Sequence, residues 1–202
     1  DGGTFDIGFQ ALSGAAERNE NIIYACYDNE AYMNTGIQRS SATPLGAWTT
    51  TTPQPHPKSH PKKQIFDILT AHLIPYIATA SVAYPDDLVE KFQKARSMYG
   101  MKFLHIFAPC PTGWKSSPGS TVELARLAVQ SRLFPLVEAW NGKHFKVNKD
   151  IPRVSVADYL TQQGRFGKLT DSDIAEVEKT IDDRWEELLL KERTGGPPPG
   201  HA

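Results

Sequence analysis

No uninterrupted apolar run in this sequence approaches the ~20 residues that a membrane-spanning helix needs, and no signal-peptide pattern opens it. A cytoplasmic chain without a membrane partner is the expectation. Basic blocks are also missing: 22 Lys and Arg are interspersed among 23 Asp and Glu for a net charge of −1, which argues against nucleic acid as the main partner. With two cysteines, Cys26 and Cys110, there is no disulfide framework. Neither a GxGxxG turn nor a P-loop occurs, which weakens the reading as a non-catalytic nucleotide-binding α/β module.

What is present fits one domain, since 202 residues with 40% hydrophobic content can bury a single sizeable core at ~150 residues per domain. We expect a domain over 1–194 and a disordered Gly/Pro tail over 195–202. Phe5, Phe9, Leu12 and Ala16 fall at helical steps between Thr4 and Ala16. Ile22 to Tyr27 is a short apolar run ending in Asp28-Asn29-Glu30, the pattern of a buried parallel strand. A strand ahead of Asp1 would complete a βαβ unit, whose right-handed crossover puts both strand ends on one sheet edge, where open α/β sheets bind ligands.

Asp1 and Asn29 would then be neighbouring oxygen donors, with Gly2 and Gly3 letting a diphosphate approach the backbone at a helix start. One carboxylate and one amide oxygen suit Mg²⁺, which takes its remaining ligands from phosphate and water. Taken singly, each of these residues also suits an ordinary turn.

Further along, Ser40 to Lys63 is a long Thr/Pro/Ser-rich loop directly after this site, of a length that is uncommon unless functional or disordered, and it could cover cofactor or substrate. The prolines around His56 and His60 deny them a shared helical face, so they do not read as a metal pair. Ile65 to Leu73, Pro85 to Ala95 and Leu124 to Ala128 read as helices, the last with a capping box from Ser120 to Glu123. Tyr76 to Tyr84 and Phe103 to Ala108 read as strands, with His105 a hydrogen-bonded core histidine. Asn141-Gly142 between Leu136–Trp140 and Phe145–Val147 signals a type I′ hairpin, hence an antiparallel edge. Val156 to Leu160 reads as a short helix, and Thr170 as the cap of a long amphipathic one with a stripe of Ile174, Val177, Ile181, Trp185, Leu188 and Leu189. The fold class that results is α/β: a mainly parallel twisted sheet with helices on both faces and an antiparallel hairpin at one edge.

The segment Asp1-Gly2-Gly3, the 28-position spacing to Asn29, and Tyr27-Asp28-Asn29-Glu30-Ala31-Tyr32-Met33-Asn34-Thr35-Gly36-Ile37-Gln38 with Ser40-Ser41-Ala42-Thr43-Pro44 carry a resemblance. They resemble the thiamine diphosphate motif and, more specifically, the β subunit of pyruvate:ferredoxin oxidoreductase (pyruvate synthase), a likeness extending to about Leu169. The motif's first glycine would precede Asp1, so the chain looks like a C-terminal portion of such a subunit.

The resemblance implies a thiamine diphosphate-binding fold and oxidative decarboxylation of pyruvate with coenzyme A, electrons passing through [4Fe-4S] clusters to ferredoxin. It implies Asp1, Asn29 and the Ala31 carbonyl as Mg²⁺ ligands, and Gly2, Gly3, Asn34 and Thr35 as cofactor contacts, with Asn34 near the thiazolium and substrate. Cys110, in Pro109-Cys110-Pro111-Thr112-Gly113-Trp114, would be the fourth ligand of a [4Fe-4S] cluster whose other cysteines lie upstream. Partner subunits of α, γ and δ type would complete the enzyme and supply the glutamate for the aminopyrimidine. Oxalate or a longer or branched 2-oxoacid is the alternative substrate. Gln163-Gly164-Arg165-Phe166 also resembles a motif of the family, and it receives no catalytic role.

Overall fold

Five strands form one sheet in the order β1-β3-β2-β4-β5 in the computed structural model, which describes residues 1–198. β1 (Ile23–Asp28), β3 (Lys102–Phe107) and β2 (Tyr76–Ser81) run parallel, whereas β4 (Val137–Trp140) and β5 (His144–Val147) are antiparallel. β2 is buried at every position, so elements cover both of its faces, and the small side chains of Ala78 and Ala80 let them pack closely on one of these. Asn141 and Gly142 have φ of 51° and 66°, the doubly left-handed pair that a type I′ turn demands, and β5 is the antiparallel edge strand expected.

Register determines what each face carries. Tyr24, Cys26 and Asp28 lie opposite Phe103, His105 and Phe107, so all six share one face. That face is covered by α1 (Phe9–Glu17), α2 (Ile65–Thr70), α5 (Thr121–Gln130) and α7 (Asp171–Gly195), whose Leu12, Phe66, Leu127 and Trp185 join the core. On the other face α3 (Pro85–Ser97) brings Ala95 and Phe92 against Tyr76, Leu104 and Trp140. Among the described residues no helix is long and apolar enough to cross a membrane.

The strand read as buried, β1, is an edge strand with Ile23 and Tyr27 exposed, because only β3 pairs with it among the described residues. Three local expectations also change. The helix expected from Thr4 begins instead as a π-turn over Gly3–Ile7, and α1 starts only at Phe9. The Gly8 amide donates to the Gly3 carbonyl across 2.6 Å, an approach so close that a Cβ at Gly8 would meet that oxygen at 2.4 Å. The second change is at α5: it starts where expected, but the Ser120 hydroxyl donates to the Ser117 carbonyl and Glu123 pairs with Arg126, so no capping box forms. Thr170 does form one, with Asp173. The third is at the far end, where α7 runs through Gly195, a position at which a Cβ would collide with the Lys143 carbonyl. Residues 199–202 of the expected tail lie outside the described residues.

Candidate metal and diphosphate site

The parallel strands all end at one edge, and there the turn after β1 meets the start of the chain. The Asp1 backbone nitrogen donates to the Tyr27 carbonyl at 3.0 Å, which places Asp1 beside the end of β1. Its carbonyl accepts from the amides of Thr4 and Phe5 at 2.9 and 2.7 Å, and the Ser40 hydroxyl donates to Oδ2 at 3.0 Å. Oδ1 is thereby turned toward Asn29. One terminal amide atom of Asn29 lies 2.9 Å from Asp1 Oδ1 and 2.9 Å from the Ala31 carbonyl oxygen.

Two chemical readings of that contact exist. With the amide nitrogen in that place, Asn29 donates to both oxygens. With the amide oxygen there, three oxygens meet, an arrangement only a cation reconciles. Mg²⁺ binds oxygen at about 2.0–2.1 Å in octahedral geometry, so neighbouring ligands are about 2.9 Å apart. The observed spacing matches that of neighbouring octahedral ligands as well as that of an amide hydrogen bond, so the residues fit the ion. Among the described residues no cluster of three or more His, Cys, Asp or Glu is suited to a metal, so this set of one carboxylate, one amide and one carbonyl stands apart in kind.

What presents these donors is Glu30, which lies between Asn29 and Ala31 with φ of 69°. Left-handed backbone costs a non-glycine residue roughly 1–2 kcal/mol, and the surroundings hold it there. The Glu30 amide donates to Asp28 Oδ1 at 2.9 Å, and the Thr43 hydroxyl donates to the Glu30 carbonyl at 2.7 Å. The Asn29 carbonyl accepts from the indole N–H of Trp114 at 2.8 Å. Beneath the turn two buried carboxylates meet two cations. Lys62 Nζ is 2.5 Å from Asp28 and 2.8 Å from Glu30, and Arg165 Nη2 is 2.6 Å from Glu30.

His105, on the shared sheet face, is a hydrogen-bonded core histidine as expected, and its partner is Asp28 at 2.7 Å. Burial pushes the imidazole below its ordinary value despite Asp28, so neutral His105 donates from Nε2. Against its own burial, Asp28 is held well below the usual carboxylate range by the Lys62 ammonium and the His105 hydrogen bond.

Gly2 and Gly3 prove different. A Cβ on Gly2 would lie 2.2 Å from the Tyr32 ring, whose hydroxyl donates to the Gly2 carbonyl and to Asp6, both at 3.2 Å. Nothing approaches a Cβ on Gly3 within 4 Å, and this residue is exposed, so Gly3 is the glycine open to a phosphate. Asn34 and Thr35 occupy the exposed tip of a turn closed by Tyr32 and Gln38, and the Thr35 hydroxyl donates to Gln38 Oε1 at 2.5 Å. Cys110 immediately precedes the short helix α4 (Pro111–Trp114), in the loop that follows β3 and four residues before the tryptophan that holds Asn29.

The loop over 40–63 wraps the site and is pinned by its lysines. Lys58 donates to the carbonyls of Ser41 and Thr43, Lys62 enters the ion network, and Lys63 donates to the Phe5 carbonyl. Burial, with Arg39 and Lys62 nearby, pushes the Lys58 ammonium down to about 8. Sequence reasoning gave no site role to Asp28, Glu30, Ser40, Lys62, Trp114 or Arg165, although all but Lys62 stand in motifs that it singled out. The Asp28-Asn29-Glu30 cluster after an apolar run was the available signal for the first two.

Residues 1–106 match the family described as thiamine pyrophosphate enzyme, C-terminal TPP binding domain. The chain is 52% identical over 195 residues to ketoisovalerate oxidoreductase subunit VorB of Pyrococcus furiosus, covering 93% of this chain and 62% of that protein. It is 51% identical over 193 residues to pyruvate synthase subunit PorB of Methanocaldococcus jannaschii, covering 94% and 65%. The chain thus spans a little under two thirds of the length of these relatives. A solved structure of 2-oxoglutarate:ferredoxin oxidoreductase from Magnetococcus marinus, with 2-oxoglutarate, coenzyme A and succinyl-CoA bound, matches with a TM-score of 0.53. At 21% identity over 94% of this chain and 65% of that one, it supports the fold alone.

Proposed function

Because the chain belongs to the C-terminal TPP-binding domain family of thiamine pyrophosphate enzymes, we propose that it is the metal- and diphosphate-holding β-type chain of a 2-oxoacid:ferredoxin oxidoreductase. What supports this is the meeting of Asp1 Oδ1, the Asn29 amide and the Ala31 carbonyl, at contacts of 2.9 Å that also suit neighbouring ligands of Mg²⁺. Thiamine diphosphate supplies the carbanion chemistry of decarboxylation when bound, and the protein's task is to orient it.

In this reading Asp1, Asn29 and Ala31 hold Mg²⁺ against the diphosphate, with Gly2 and Gly3 forming the turn beside it. Asn34 and Thr35, exposed at their turn tip, reach toward the thiazolium and substrate. Cys110 supplies one thiolate to a [4Fe-4S] cluster that takes electrons onward to ferredoxin, the remaining thiolates coming from outside the described residues. Partner subunits of α, γ and δ type supply the glutamate that acts on the aminopyrimidine, and the assembly works in the cytoplasm.

The substrate in this reading is pyruvate, with coenzyme A as acyl acceptor. The relatives named for ketoisovalerate favour a second reading, a branched 2-oxoacid at the same site. Replacing Asn29 by Leu in the full assembly tests the shared core of both. The variant should fold and lose thiamine diphosphate, read by mass spectrometry of the intact complex. Cofactor retention equal to the parent's would overturn the assignment.

A further inference from the structure

The side chain most deeply committed to the metal turn comes from the far end of the chain. Arg165 is 2% exposed and separated from Glu30 by 135 positions, outside the family match over residues 1–106. Its Nη2 donates to Glu30 Oε2 at 2.6 Å and to the Tyr159 hydroxyl at 3.1 Å, while Nε donates to Gln163 Oε1 at 2.9 Å. The guanidinium lies 3.8 Å above the Trp114 ring, and the Arg165 carbonyl accepts from the Trp48 amide at 2.6 Å.

We propose that Arg165 is a positioning residue for the Mg²⁺ site, holding the Asn29-Glu30-Ala31 turn in its metal-binding form. This rests on the reading given under Proposed function. Asn29 and Ala31 present their oxygens together because Glu30, between them, is left-handed, and a non-glycine residue leaves that conformation unless its surroundings forbid it. Glu30's carboxylate has two charged partners, Lys62 and Arg165. Lys62 is shared with Asp28, so without Arg165 two buried carboxylates would depend on a single ammonium.

The same guanidinium acts a second time. By stacking on Trp114 it fixes the indole whose N–H holds the Asn29 carbonyl, so one planar side chain secures both ends of the Asn29–Glu30 unit. Lysine cannot replace it: a single ammonium lacks the fork that reaches Glu30, Tyr159 and Gln163 together, and it stacks poorly.

The test measures the Mg²⁺ concentration that half-saturates thiamine diphosphate binding, by calorimetry on the full-length chain in its native assembly. Arg165→Lys should raise that concentration at least tenfold. Leu188→Ala, which destabilises the core of α7 away from the site, should lower the melting temperature with the Mg²⁺ requirement unchanged. If Arg165→Lys does not assemble, Glu30→Gln with Arg165→Gln removes both charges and keeps hydrogen-bonding groups; it too should show a raised requirement. An assembled Arg165 variant within twofold of the parent, or an equal shift in Leu188→Ala, overturns the assignment while leaving Mg²⁺ binding intact. A parent without Mg²⁺-dependent binding, or an Asn29→Leu variant that binds normally, overturns the underlying reading and this assignment with it.

Discussion

The indole nitrogen of Trp114 lies 2.8 Å from the carbonyl oxygen of Asn29, joining the loop that follows β3 to the turn that follows β1. The same tryptophan's backbone amide donates to the Cys110 carbonyl at 2.9 Å, and a Cβ on Gly113 would collide with Met33. The candidate cluster ligand and the candidate metal turn are thus one packed unit.

Trp114→Phe should loosen both ends of that unit. The Asn29 carbonyl would be buried without a donor, at a cost of about 1–3 kcal/mol, and the smaller ring would leave space beneath Arg165. The expected outcome is a lower melting temperature together with parallel losses of thiamine diphosphate and iron from the purified assembly. Loss of one without the other would show that the two loops are held independently.

Gly2 and Gly3 should separate stability from cofactor affinity. Gly2→Ala drives a Cβ into the Tyr32 ring, and the ring cannot retreat without giving up its hydrogen bonds to Gly2 and Asp6; overpacking of this kind costs about 1–3 kcal/mol. Gly3→Ala meets nothing and should stay within about 0.5 kcal/mol in stability. Its methyl would instead stand where a diphosphate approaches. Denaturant melts should therefore single out Gly2→Ala, and calorimetry of thiamine diphosphate binding should single out Gly3→Ala among folded variants.

Much of the architecture was legible because it is periodic. Strand runs such as Ile22 to Tyr27, the Asn141-Gly142 turn and the stripe of α7 announce themselves within a few residues. The strand order was not, since nothing local tells β3 to lie between β1 and β2, and with it the pairing of Asp28 and His105 was hidden. Asp1 and Asn29 could be singled out as oxygen donors, but not the charges that position them. A buried ion network gathered from residues 28, 30, 62 and 165 has no spacing to read. Glu30 is hidden for another reason, because left-handed backbone normally advertises itself through glycine or asparagine, and here tertiary bonds impose it on a glutamate. The π-turn likewise depends on the contact of Gly8 with the Gly3 carbonyl, which a helical pattern of apolar residues does not register.

The Asp28–His105 pair makes stability depend on pH in a definite sense. Both groups have lower pKa values folded than unfolded, so unfolding takes up protons and stability rises with pH between the two values of each group. For His105 the contribution is complete above its unfolded value of about 6.5 and is lost as pH falls toward the folded one. For Asp28 it is complete above about 3.9 and is lost on further acidification. Lys62 has the opposite sign: burial opposes its charge, but Asp28 and Glu30 raise its pKa, so its contribution is complete below about 10.4 and is lost only in strong base. Acid should therefore weaken the protein in two stages, the first starting below about pH 6.5 with a slope of at most about 1.4 kcal/mol per pH unit for one proton. His105→Gln isolates that stage, because a glutamine amide nitrogen can occupy the place of Nε2 and donate to Asp28 without titrating. The variant should lose some stability at pH 7, where the imidazole's edge contacts with Phe5 and Phe134 are gone, yet its melting temperature should change less than the parent's between pH 7 and pH 5. Parent and variant curves that stay parallel over that interval would mean that His105 does not titrate between the folded and unfolded states as its burial against Asp28 requires.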